Sequence, residues 1–207
     1  MSPRWAVVRT VGDQGVSRSV VHALPGMGGD HRMYPTPWTS IPHFIAHDWT
    51  KVPRLASLQE LAELMCTRCA INDGDSIVGS SLGGMVACEI ARLCHVRAVF
   101  LIGSALHPTE VSRPLRLFSP LINFAPLRLL QRVARYIPAP LSQMYAASDP
   151  QFLRCMTKAV FSWRGALDCG TRLVRIHGRH DPIIPRAQRV DLWVDGGHLL
   201  SMSHPAE

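Results

Sequence analysis

The sequence predicts an α/β protein: a mostly parallel central sheet with helices on both faces, interrupted late in the chain by a helical insertion. Three observations carry this. Short apolar runs of strand length alternate with stretches of helical apolar spacing. Several of these runs end in glycine-bearing turns. Between His107 and Gly165 the alternation stops, and seven prolines divide the chain into short amphipathic pieces.

Trp5 to Thr10 reads as a first strand, followed by a turn at Gly12-Asp13-Gln14-Gly15. Val20 to Leu24 is a buried strand running into the glycine-rich loop Pro25-Gly26-Met27-Gly28-Gly29, and Phe44 to His47 is another short strand. From Ser57 to Cys69 the apolar residues Leu58, Leu61, Leu64 and Met65 fall at helical spacing. Ser57 is placed to cap that helix, with Glu60 completing a capping box. Ser76 to Gly79 is the next strand. Met85 to Cys94 is a helix apolar on most faces, hence buried. Arg97 to Ile102, Leu173 to His177 and Asp191 to Val194 complete the strands. The stretch from about 107 to 165 is expected to form a helical lid over one end of the sheet, within a single domain spanning 1–207.

At 207 residues, 47% hydrophobic and 18% charged, the chain has ample material for one core and nothing that marks disorder. No secretory leader and no run of about 20 apolar residues is seen, so a cytoplasmic protein without a membrane partner is expected. The six cysteines (Cys66, Cys69, Cys88, Cys94, Cys155 and Cys169) are scattered. Cys66 and Cys69 form a C-x-x-C, but it sits in a helical pattern and has no second pair, which argues against zinc or redox use. The net charge is +7, and six of those charges arise between His107 and Gly165, where eight bases face two acids. Bases interleaved with prolines and apolar residues, without a binding motif, do not suggest nucleic acid.

The chemistry concentrates in four segments. Gly79-Ser80-Ser81-Leu82-Gly83 is a G-x-S-x-G between a strand and a helix. A tight turn there forces the serine into a strained conformation, and the flanking glycines remove the Cβ atoms that would clash. Leu24-Pro25-Gly26-Met27-Gly28-Gly29-Asp30 is a glycine-rich loop able to aim a backbone N–H at a developing oxyanion. His177-Gly178-Arg179-His180-Asp181-Pro182 places an aspartate after a strand, and Val194-Asp195-Gly196-Gly197-His198 does the same with a histidine. The chain order Ser, Asp, His is the one that accompanies a G-x-S-x-G elbow. Each segment taken alone is also compatible with an ordinary turn. Asp195 lies too near His198 in sequence to be a comfortable partner. His177 and His180 flank the aspartate as structural or substrate-contacting candidates, and His22 reads as a buried core histidine.

Together the four segments resemble those of the α/β-hydrolase superfamily, from Val20 to Pro205 with the insertion set aside. The resemblance implies a serine nucleophile at Ser81, an acid at Asp181, a base at His198, and oxyanion donors from the N–H groups of Met27 and Leu82. Ser203-His204-Pro205 is similar to endings common after the family's histidine. Three departures stand out. Sixteen residues separate Asp181 from His198, where the family usually fits a helix. Ser80 occupies the position before the nucleophile, where many members carry a larger residue. Nine residues follow His198, so the last helix must be brief.

The implied activity is hydrolysis of a carboxylic ester or thioester through an acyl-enzyme, with neither metal nor organic cofactor. The basic lid would suit an anionic acyl substrate, such as a coenzyme A or carrier-protein thioester, or it is simply a solvated face. The alternatives are a binding protein that keeps the fold without the activity, and an acyltransferase or C–C hydrolase using the same site.

Overall fold

The computed structural model describes residues 19–49, 52–137, 139–166 and 170–207. The strand and turn expected between Trp5 and Gly15 lie outside these, as does Cys169. Among the described residues six strands form one sheet: β1 (Val21–Leu24), β2 (Phe44–Ala46), β3 (Ser76–Ser80), β4 (Ala98–Ile102), β5 (Arg172–Gly178) and β6 (Leu192–Val194). Their order is β2-β1-β3-β4-β5-β6, and every neighbouring pair is parallel. The chain reverses its direction of travel across the sheet between β1 and β3, the kind of switch point at which open α/β sheets hold their sites.

Helix α1 (Leu58–Arg68) begins where the capping residues predict. Ser57 Oγ accepts from the Glu60 N–H, and the Glu60 carboxylate accepts from the Ala56 N–H, one residue before the cap. Helix α2 (Leu82–Leu93) starts three residues earlier than its apolar run suggests, because the turn at Ser81 delivers the chain directly into helix. Its first ten residues are all buried, as expected of a helix packed between the sheet and α1. Cys66 and Cys69 both lie in or just after α1, and burial raises both thiols, that of Cys66 to about 12.

The segment between β4 and β5, expected to form a helical insertion, holds four α-helices among its described residues: α3 (Arg113–Phe118), α4 (Leu127–Ala134), α5 (Pro140–Ala147) and α6 (Pro150–Ser162). Proline stands in the first turn of α3, α5 and α6, where its missing N–H costs nothing. The prolines thus start helices here rather than preventing them.

Both roots of the insertion are fastened by buried charge. At the first, Glu110 and Arg175 pair at 2.5 Å, with Arg175 1% and Glu110 6% exposed. Glu110 also accepts from the N–H groups of Leu106 and Gln188, and Arg175 donates to the carbonyls of Ser104 and Gln188. At the second, the buried Glu89 of α2 accepts from Trp163 Nε1 at 2.7 Å and Arg92 at 2.8 Å, while Arg92 donates to the Gly165 carbonyl. Beyond β6 the chain ends in the four-residue α7 (Leu200–Ser203).

Candidate active site

Each site residue follows a strand end, so the parallel sheet gathers them along one edge. Ser81 comes directly after β3 and has φ 51° and ψ −115°, a conformation rarely adopted by a residue with a side chain. The glycines around it make the turn possible. A Cβ on Gly83 would lie 2.1 Å from the Leu24 carbonyl oxygen, and one on Gly79 would lie 2.4 Å from the Gly84 backbone. The spacing G-x-S-x-G therefore records how closely α2 crosses the ends of β1 and β3. The Ser81 carbonyl accepts from Ser104 Oγ at 2.7 Å.

His198 follows β6 and presents Nε2 to Ser81 Oγ at 3.0 Å, with Nδ1 2.8 Å from Asp181 Oδ2. An ionised carboxylate can only accept, so the ring proton sits on Nδ1 and Nε2 is left to accept from the serine hydroxyl. Asp181 Oδ1 accepts from the N–H groups of Ile183 and Ile184 at 2.8 and 2.9 Å. Burial alone would raise this carboxyl. The hydrogen bond and charge of His198, together with the two N–H groups, outweigh burial and hold it below the usual aspartate range.

The turn from β5 to β6 holds no helix among its described residues, yet it brings Asp181 and His198 together. The usual connecting helix is thus dispensable for that contact. His180 turns outward to Asp195 at 2.9 Å, both exposed, which removes Asp195 as a partner for His198. His177 is buried beneath Asp181, with Nε2 3.0 Å from the Ile184 carbonyl. Burial lowers its pKa, so it stays neutral and donates from Nε2 to hold the acid-bearing turn. His22 is buried and hydrogen-bonded to His47 and Asp75, away from the serine, and His204 meets Ser203.

Met27 and Leu82 both border the same cavity as Ser81 and His198. Among the described residues neither backbone N–H donates a hydrogen bond to a backbone acceptor. The loop carrying Met27 is fixed by Trp49 Nε1 donating to the Gly26 carbonyl at 3.0 Å and by Tyr34 Oη donating to the Leu24 carbonyl at 2.6 Å. Tyr34 Oη also accepts from the Ser80 N–H, and Ser80 Oγ donates to Ser201 Oγ at 2.9 Å. A small residue before Ser81 thus ties the Ser81 turn to α7 through Ser201, three residues from His198.

The cavity measures about 550 Å³. Besides Ser81 and His198, its polar lining is limited to Ser119 and Thr157, and no lining residue carries a formal charge. None of the eight bases of the insertion reaches it. One of them, Arg154, is spent on the carbonyls of Ile122 and Ala125. The sequence reading missed Glu110, Arg175, Glu89 and Ser104. A glutamate or arginine inside an otherwise apolar stretch was the signal available, and it does not say which partner the fold will bring.

The alpha/beta hydrolase family model matches residues 3–207, and the chain belongs to that family. Similar solved structures include a hydrolase from Oleispira antarctica, with a TM-score of 0.71 at 16% identity over 90% of this chain and 86% of that one. A thermophilic esterase from Thermogutta terrifontis gives 0.66 at 18% identity, covering 90% and 85%. The N-acyl homoserine lactonase AidH, complexed with N-hexanoyl homoserine lactone, gives 0.69 at 19% identity, covering 92% and 86%. At such identities the likeness is one of fold. Sequence comparison with curated proteins gives no significant match.

Proposed function

We propose that the protein is a serine hydrolase that cleaves carboxylic esters or thioesters of apolar acyl groups. The observation that carries this is the unbroken hydrogen-bonded chain Ser81–His198–Asp181 opening onto an uncharged cavity. Ser81 Oγ attacks the acyl carbonyl as its proton passes to His198 Nε2. Asp181 holds the imidazole in the accepting tautomer and stabilises the imidazolium that forms. The N–H groups of Met27 and Leu82 receive the oxyanion, and one well-placed donor of this kind contributes about 3–4 kcal/mol. His198 returns the proton to the departing alkoxide or thiolate. Water then attacks the acyl-enzyme with His198 as base, restoring Ser81 and releasing the acid.

The lining favours a neutral acyl chain. A coenzyme A or carrier thioester would have to place its charged part outside the cavity, since no cation lies within it. The esterase and lactonase neighbours hydrolyse carboxylic acyl bonds in keeping with their names, and this agrees with the reading. The test is hydrolysis of p-nitrophenyl esters from acetate to decanoate by the wild type and Ser81→Ala. Turnover with medium chains that vanishes in the variant is expected. Equal turnover by both proteins, or none in the wild type together with no labelling of Ser81 by a fluorophosphonate, would overturn the assignment.

A further inference from the structure

Residues 111–137 bury little of their apolar content. Leu117, Phe118, Leu121 and Phe124 are 55–84% exposed, and so are Leu129, Val133 and Tyr136 at 56–83%. Single exposed apolar residues are ordinary, but a run of this length through α3, the following turn and α4 is not. The same 27 residues contain five arginines and no acid. All five (Arg113, Arg116, Arg128, Arg132 and Arg135) are exposed, and none is ion-paired among the described residues.

The arrangement on α4 and the turn that continues it is ordered. Leu127, Gln131 and Ala134 face the body of the protein. At 3.6 residues per turn, Arg128, Arg132 and Arg135 form one row beside that face. Leu129, Leu130, Val133, Tyr136 and Ile137 fill the remaining outer arc of about 120°. An apolar outer arc bordered along one side by a row of arginines is the pattern of a helix lying in a membrane interface, where long basic side chains reach up to headgroups. Leu115, Phe118 and Leu121, on α3 and the turn after it in the same exposed run, line the cavity, so this run forms part of its rim.

We propose that this face docks on an anionic lipid bilayer, with the cavity mouth turned toward the lipid. Charge selects the occupant. A second copy would set five unpaired arginines against five more, and residues 1–18 carry three arginines and one aspartate, so they too are basic. An anionic surface neutralises the arginines while the apolar arc leaves water. The described residues include no helix long and apolar enough to cross a membrane, and docking on its surface requires none.

The experiment is sedimentation of the full chain with vesicles of phosphatidylcholine alone and of phosphatidylcholine containing about one third phosphatidylglycerol. Two variants accompany the wild type: Arg116→Gln/Arg132→Gln/Arg135→Gln and Leu129→Ser/Val133→Ser/Tyr136→Ser. Their side chains are exposed, so thermal melting should match the wild type, and none lines the cavity. Wild type bound to the anionic vesicles and not the neutral ones is expected, with affinity falling as salt rises. Loss of three arginines should weaken binding on the order of a hundredfold, and the serine variant should lose at least tenfold. Hydrolysis of a soluble short-chain ester without vesicles should be unchanged in both, which separates this proposal from the assignment of the reaction. Absence of binding, equal binding to neutral vesicles, or variants that bind like the wild type would each overturn it. So would a concentration-dependent dimer that the serine variant abolishes.

Discussion

Replacing Glu110 by glutamine should be among the most damaging single-atom changes available in this protein. Each carboxylate oxygen accepts twice: Oε1 from Arg175 at 3.1 Å and the Gln188 N–H at 3.2 Å, Oε2 from Arg175 at 2.5 Å and the Leu106 N–H at 2.9 Å. Glutamine keeps one accepting oxygen and turns an N–H₂ toward the other two donors. The Arg175 guanidinium, 1% exposed, retains only carbonyl partners for its charge. Breaking one side of a buried pair costs about 3–5 kcal/mol, against a total stability on the order of 5–15 kcal/mol for a domain. Urea unfolding followed by circular dichroism should show a loss of about 3 kcal/mol. Removing the stranded charge as well, in Glu110→Gln/Arg175→Met, should recover much of that loss. The turn bearing Asp181 lies in the segment between Arg175 and Gln188, so ester hydrolysis should fall in the single variant and partly return in the double. A single variant less than about 1 kcal/mol down, or a double variant no better than the single, would refute the argument.

Three further outcomes are expected. Asp181→Asn can keep both backbone N–H groups on its oxygen while its N–H₂ faces His198 Nδ1 and favours the wrong tautomer; kcat on p-nitrophenyl esters should drop about 10³–10⁴-fold with little change in melting temperature. Gly83→Ala drives a Cβ to 2.1 Å from the Leu24 carbonyl, which is backbone and cannot yield, so denaturation should report a loss of about 3 kcal/mol or failure to fold. His47 is held near pKa 4 by burial and by neighbouring His22, so the unfolded chain, with an ordinary histidine near 6.5, binds the proton first as pH falls. Its contribution to stability is therefore complete above about pH 6.5 and diminishes toward pH 4, by up to about 2 kcal/mol given its partial exposure; a stability profile in which His47→Gln is as steep as the wild type across that window would contradict it.

The sequence carried the strands that hold the site because their apolar runs end in turns with a recognisable need. Ser81 sits where only flanking glycines permit the turn, and Ser57 with Glu60 marks the start of α1 in two residues. Local chemistry of that kind is written locally. The elements misjudged in extent, such as the start of α2 at Leu82 rather than Met85, were decided by the turn geometry instead of the apolar pattern. Trp163, which donates to Glu89, and Arg175, which pairs with Glu110, lie 74 and 65 residues away in sequence, and no spacing rule reaches so far. The basic character of the insertion was plain from composition. Its separation from the cavity was not, because which side of a short helix faces inward depends on what packs beneath it.

The two buried anchors at Glu110–Arg175 and Glu89–Trp163 have a consequence for engineering. They lie at either end of the insertion and belong to the scaffold rather than to the cavity. The segment between them behaves as a cassette whose splice sites are defined by these junctions. Grafting a different helical segment between Val111 and Ser162, with both junctions and the core residues Met144, Phe152, Leu153 and Met156 kept, should change the cavity lining while leaving Ser81, His198 and Asp181 in place.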